Sequence, residues 1–290
     1  GLVLASVAAP GLTAQDAPVT RDSITLVPGP QFSTTSWIRW LGTALFGARY
    51  RVVWNTPITL PVLDLAATGD YVGSCDDDDE WLPTKLSRQI ALLESRPDAS
   101  ICATGMLVSY NGDDIERLAP AQDLTLHDFL DSRYAEVHSS ALLMNRRRLL
   151  DEIGLFDEQL PGSYGEDYEM LIRGARCGPV VCVPDALTKV YFHDQSFFVS
   201  RWRTIDDALT YLLEQVPEFQ DAPKGLSRIE GQLAFANAAM GERKKAVHYA
   251  GSSLRKNPMT KHSYAALLVA SGLVSADRVV SMARQRGRGI

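Results

Sequence analysis

Five consecutive acids, Asp76-Asp77-Asp78-Asp79-Glu80, follow the apolar stretch Tyr71-Val-Gly-Ser-Cys75. A buried strand running into such a cluster sets carboxylates at its C-terminal edge, where open α/β sheets bind ligands. In an extended segment Asp76 and Asp78 share a face, so both can approach one hard cation carrying a diphosphate. An acidic run is commonly just a solvated loop. Here the apolar strand leading in and the Trp81-Leu-Pro83 element leading out favour a site. Glu166 and Asp167 open a helical stretch containing Leu171, Ile172 and Ala175. An acid in a first helical turn is ordinarily a cap. His193 follows an apolar strand, and a lone histidine there is ordinarily structural or exposed.

The elements that must hold these residues alternate between strand and helix. Ser23–Val27, Tyr50–Trp54, Tyr71–Cys75, Ser100–Thr104, Met106–Tyr110, Ser140–Met144, Val180–Val183 and Leu187–Phe192 read as strands. Helical stretches are expected near 37–46, 63–67, 146–153 and 165–176. The clearest helix follows Pro83, where Leu86, Ile90 and Leu93 recur at i, i+4 and i+7 and Pro83 suits a first turn. This alternation predicts an α/β sheet with a largely parallel half. Residues 1–20 read as a truncated helix or strand, with a shortened first helix preferred. The apolar start resembles a signal region but lacks a basic segment before it. Beyond about residue 200 the pattern is helical, broken at Gly241, Pro258 and Gly272. Gly231–Met240, Arg243–Leu254 and Ser263–Leu273 resemble half-repeats of a helical-hairpin array, though fewer than three full repeats are visible.

A chain of 290 residues with 46% hydrophobic and 22% charged residues can bury a core, and disorder is not expected. Its net charge of −6 argues against a nucleic-acid partner. The charge is unevenly spread: residues 241–290 carry +8, which leaves −14 on the first 240. That basic tail, with Arg278, Arg284, Arg286 and Arg288, is either a peripheral contact for an anionic membrane or a solvated or partner-binding end. No apolar run approaches the roughly 20 residues of a membrane-spanning helix. Cys75, Cys102, Cys177 and Cys182 form no CxxC pair and read as reduced thiols of a cytoplasmic protein.

The stretch from Gly69 to Asp98 contains Asp76-Asp-Asp-Asp-Glu-Trp-Leu-Pro83, then Lys85-Leu-Ser-Arg-Gln89, then Pro97-Asp98. It resembles the DxD region of family 2 glycosyltransferases, and Ala67-Thr-Gly69 supplies the A-x-G element that leads into it. Ser139-Ser-Ala-Leu-Leu-Met-Asn145, Gly154-Leu-Phe-Asp-Glu158 and Gly165-Glu-Asp-Tyr-Glu-Met-Leu-Ile-Arg173 then resemble the second half of that family in the same order. The likeness covers about residues 50–195.

The resemblance implies a GT-A fold: a Rossmann-like nucleotide-binding half fused to an acceptor half in one mixed sheet, over residues 1–199. A small all-α region would follow over 200–290. It implies Mg²⁺ or Mn²⁺ held by Asp76, Asp78 and His193. A nucleotide-diphosphate sugar would sit against Asp76, Asp77, Asp78 and Trp81, supported by Asp79 and Glu166. Asp167 would be the catalytic base of an inverting single displacement. The acceptor would be a glycan, a lipid-linked species or a small molecule, in cell-surface polysaccharide or glycoconjugate synthesis.

The N-terminal part departs from that family in three places. No strand ends in V-I-P-x-Y-N, Leu26–Ser33 carries no acid where D-D-G-S is usual, and Leu60 and Pro61 stand near the usual Arg-Asn. Two rivals follow. A sugar-nucleotide pyrophosphorylase would need a Gly-rich basic loop, which residues 1–50 lack. A non-catalytic transferase-like scaffold would bind without turnover.

Overall fold

The computed structural model describes residues 2–7, 24–27, 50–52, 70–76, 79–110, 112–192 and 201–284. Asp77, Asp78, His193, Arg286 and Arg288, and the helices expected at 37–46 and 63–67, lie outside the described residues. The chain divides into two compact units. The first comprises Gly1–Leu126, Tyr134–Phe156 and Met170–His193, and the second His127–Arg133, Asp157–Glu169 and Asp194–Ile290.

The first unit is built on one mixed sheet. Its strands are β1 (Leu2–Val7), β2 (Ile24–Val27), β3 (Tyr50–Val52), β4 (Tyr71–Asp76), β5 (Glu80–Trp81), β6 (Ile101–Tyr110), β7 (Asp113–Arg117), β8 (Leu143–Asn145) and β9 (Val180–Tyr191). They run in the order β3-β2-β1-β4-β8-β6-β9-β5, with β7 paired to β6. Tyr71–Cys75 of β4 are buried on both faces, as their unbroken apolar run requires.

Three expectations need correction. Residues Leu2–Val7 form a strand rather than a shortened helix, antiparallel to β4 from Leu2↔Asp76 to Val7↔Tyr71. The run Leu-Val-Leu-Ala-Ser-Val is short and apolar, a pattern that periodicity alone cannot divide between strand and buried helix. Second, only β2–β3 and β6–β9 pair in parallel among the described ladders; the rest are antiparallel.

Third, Gly105 and Pro184 do not end strands. The chain stays extended through both, and the β6–β9 register shifts around Gly105 instead, with Thr104↔Val183 followed by Gly105↔Ala186. A Cβ at Gly105 would lie 2.6 Å from the Arg117 carbonyl oxygen and 2.8 Å from that of Pro184. Glycine is what lets three backbones meet at this bulge.

Helix Lys85–Ser95 covers the sheet with Ile90 and Leu93, which join Tyr71, Cys102, Leu143, Val181 and Val183 in one buried cluster. It starts two residues after Pro83, because Thr84 adopts a left-handed φ of 70° at the boundary. The expected strand from Ser140 begins later. Ser139–Ala141 form a 3₁₀ turn, and β8 follows at Leu143–Asn145.

The second unit contains helices Trp202–Gln215, Pro223–Ala239, Arg243–Lys256, Lys261–Ala270 and Ala276–Arg284. The chain breaks around Gly241, Pro258 and Gly272 where helix formation is weakest. Small side chains let these helices approach closely: Ala234, Ala238, Ala246, Ala250, Ala266 and Ala270 surround Phe235, which meets Trp202 edge-on at 5.4 Å. No helix among the described residues is long and apolar enough to cross a membrane.

Candidate functional site

Strand β4, between β1 and β8, delivers Asp76 at its C-terminal end, and Asp79 follows with its N–H donating to the Asp76 carbonyl at 3.1 Å. Asp79 is almost fully buried, at 4% exposure. A carboxylate so placed must be met by donors or a cation. Its Oδ1 accepts from the Tyr191 N–H at 3.3 Å, and its Oδ2 accepts from the Ser140 hydroxyl. Asp76 Oδ2 accepts from the Ser139 hydroxyl at 3.1 Å, while the Asp76 N–H donates to Ser140 Oγ at 2.9 Å.

The turn carrying these serines begins at His138, whose Nδ1 lies 3.6 Å from Asp79 Oδ2 and accepts from the Ser140 N–H at 3.3 Å. Asp76, Asp79 and His138 therefore offer ligand atoms that all lie within 4.8 Å of one another. Two carboxylates and an imidazole are a donor set that suits Mn²⁺ and is compatible with Mg²⁺.

Trp81 stands beside this cluster. Its Nε1 donates to the Ser140 carbonyl at 2.7 Å, and its ring lies where a Cβ on Gly73 would come within 2.9 Å. Of the residues read from the sequence, the structure thus brings together Asp76, Asp79 and Trp81. His138 was missed, although it immediately precedes the Ser139–Asn145 segment that resembles the family.

Asp167 and Glu166 occupy the first turn of helix Glu166–Cys177, in the second unit. Arg133, from the same unit, donates to Asp167 Oδ1 at 3.1 Å. The neighbouring Asp167 charge raises the Arg133 guanidinium pKa. Arg133 was not singled out from the sequence. Tyr164 and Tyr168 flank the pair with phenols that burial pushes up.

Lys85, at 1% exposure, lies beneath Trp81 with Nζ 4.3 Å from the ring centroid and donating to Gln89 Oε1 at 2.9 Å. Desolvation lowers its pKa from 10.5 to about 7, opposed weakly by Cys75 and Cys102. The unfolded chain therefore binds the extra proton between about pH 7 and 10.5, so stability rises with pH across that window and the burial penalty is complete below it. From pH 7 to pH 9 the gain is roughly 2 kcal/mol, and Lys85→Met removes it. Urea midpoints of the two proteins at both pH values measure the difference. Equal pH slopes would contradict the assignment.

Residues 65–154 match the family description "Glycosyl transferase family 2". That matched segment resembles the family. It includes β4, the Asp76–Asp79–His138 cluster and helix Lys85–Ser95. The chain is 22% identical over 181 residues to the uncharacterized proteins Rv1520 of Mycobacterium tuberculosis and Mb1547 of Mycobacterium bovis. The alignment covers 58% of this chain and 50% of each relative, so the chain spans about half the length of the curated relatives it matches. Its fold is that of residues 1–349 of Staphylococcus aureus TarS. The complex of that protein with UDP-GlcNAc superposes with a TM-score of 0.53 at 14% identity, over 90% of this chain and 82% of TarS. The complex with UDP gives 0.51 at 15% identity, over 95% and 85%.

Proposed function

We propose that this protein is a glycosyltransferase that moves a sugar from a nucleotide-diphosphate donor, a UDP-sugar in the first instance, to an acceptor hydroxyl with inversion. The observation that carries the reading is the convergence of Asp76, Asp79 and His138 at the end of β4, inside the family segment. TarS, of like fold, binds UDP-GlcNAc and UDP, which supports the choice of donor. Residues 1–199 are read as the GT-A domain and 200–290 as its helical appendage.

Asp76, Asp79 and His138 would hold Mn²⁺ or Mg²⁺, with Asp78 and His193 as the further ligands that the family resemblance assigns. A cation there would supply Lewis-acid stabilisation of the departing nucleoside diphosphate. Trp81 and Asp77 line the donor. Asp167 takes the proton of the acceptor hydroxyl, its carboxylate held in place by the Arg133 guanidinium at the start of helix Glu166–Cys177. The acceptor is a glycan, a lipid-linked species or a small molecule.

A thermal-shift screen of UDP, GDP, dTDP and CDP, each with Mn²⁺, tests the reading. UDP is expected to stabilise the protein by about 2.7 kcal/mol at a hundred times its dissociation constant, and EDTA to abolish the shift. Slow Mn²⁺-dependent hydrolysis of a UDP-sugar should accompany it. Binding without any hydrolysis or transfer would favour the scaffold, and no shift with any nucleotide would sink the reading.

A further inference from the structure

The Ser139–Ala141 turn is held by its carbonyls from outside. The Ser139 carbonyl accepts from the Ser74 hydroxyl, the Ser140 carbonyl from Trp81 Nε1 at 2.7 Å, and the Ala141 carbonyl from Gln89 Nε2 at 2.9 Å. All three donors belong to one stretch of chain, from β4 to helix Lys85–Ser95. The turn answers with its hydroxyls, Ser139 Oγ to Asp76 and Ser140 Oγ to Asp79. Carbonyls are thus captured by the segment whose carboxylates the same two residues orient.

Gln89 is the member whose orientation is most constrained. It is fully buried, and its second Nε2 hydrogen goes to the Cys102 carbonyl of β6 at 2.8 Å. Its Oε1 accepts from Lys85 Nζ. The ammonium form of Lys85 can only donate and the Ala141 and Cys102 carbonyls can only accept, so together they fix which end of the amide is oxygen and which end faces the carbonyls. Buried polar networks with every member paired hold one arrangement rigidly, and the loss of one member is felt by the others.

We propose that Gln89, oriented by Lys85, is a positioning residue that sets the two carboxylates of the acidic site through the Ser139–Ser140 turn. Its amide never touches the carboxylates. It fixes the carbonyl of Ala141, hence the turn, hence the direction from which the serine hydroxyls meet Asp76 and Asp79. This inference rests on the reading of Asp76 and Asp79 as cation ligands. The outer partners of metal ligands characteristically contribute 10–100-fold to affinity.

The test is Mn²⁺ affinity, with free Mn²⁺ followed by electron paramagnetic resonance on the full chain and no nucleotide present. Gln89→Met and Ser140→Ala should each weaken Mn²⁺ binding roughly 10–100-fold. Because both act through one turn, the double variant should be little weaker than the more affected single one. A Gln89→Met protein that melts earlier but binds Mn²⁺ as wild type does would overturn the proposal, as would losses that simply multiply. If Gln89→Met does not fold, Ser74→Ala decides. It removes the donor to the Ser139 carbonyl from the same clamp, and unchanged Mn²⁺ affinity there is equally fatal. Failure of the wild type itself to bind Mn²⁺ would instead overturn the cation reading, and this inference with it.

Discussion

Asp167→Asn is expected to lower turnover roughly 10²–10⁴-fold, the usual contribution of a positioned general base, with donor binding intact. The amide keeps the shape of the carboxylate and most of its capacity to cap helix Glu166–Cys177, but it cannot accept the acceptor's proton. The Arg133 guanidinium, 3.1 Å from Asp167 Oδ1, fixes the direction of the carboxylate. Glu166 is the competitor. Adjacent residues on a helix point about 100° apart, so the two acids do not serve the same direction. Steady-state rates of sugar transfer, with UDP affinity and melting temperature measured beside them, separate the roles. An acid of purely structural use would lower the melting temperature and spare turnover per folded molecule. Full activity in Asp167→Asn with none in Glu166→Gln would move the role to Glu166.

What the sequence disclosed follows the reach of its signals. The acidic end of β4 and the amphipathic face of helix Lys85–Ser95 are local patterns, and Asp76, Asp79, Trp81, Ile90 and Leu93 stand in the structure where those patterns put them. His138 lies more than fifty residues from Asp79, and its place just before the Ser139–Asn145 segment does not tie it to the acids. Only the pairing of β4 with β8 carries the turn before β8 to the acids. Arg133 is hidden for the same reason, since its partner Asp167 is 34 residues away.

Strand direction was illegible too. Apolar runs announce strands, but whether neighbours run parallel depends on which distant strand each one meets. At Gly105 and Pro184 the sequence offered ordinary punctuation. The bulge that absorbs both is a property of β6 and β9 together, which neither strand specifies alone. The serine pair escaped in a different way. Ser140 reads as the polar start of a strand and Ser139 as the residue before it, and their hydroxyls acquire meaning only once the two carboxylates are opposite them.

Asp76→Ala is expected to cost roughly 100-fold or more in Mn²⁺-dependent UDP binding, since loss of a direct ligand should exceed the 10–100-fold typical of its outer partners. Asp78→Ala should behave alike if it shares the cation. The thermodynamic signature separates this from a structural defect. Asp76 and Asp79 turn their carboxylates into one small volume beside His138, and like charges in one site repel when no cation is present. Deleting one of them should leave the melting temperature of the metal-free protein unchanged or raised, while the stabilisation by Mn²⁺ with UDP disappears. A site kept for function at some expense to stability behaves in this way. A solvated acidic loop would give the opposite pattern: UDP would bind equally well with EDTA, and Asp76→Ala would change neither binding nor the response to Mn²⁺. Calorimetric titration of UDP with Mn²⁺ and with EDTA, run on wild type and both variants, distinguishes the two. Metal-independent UDP binding would remove the cation from the mechanism and leave Asp76 as a donor-side contact.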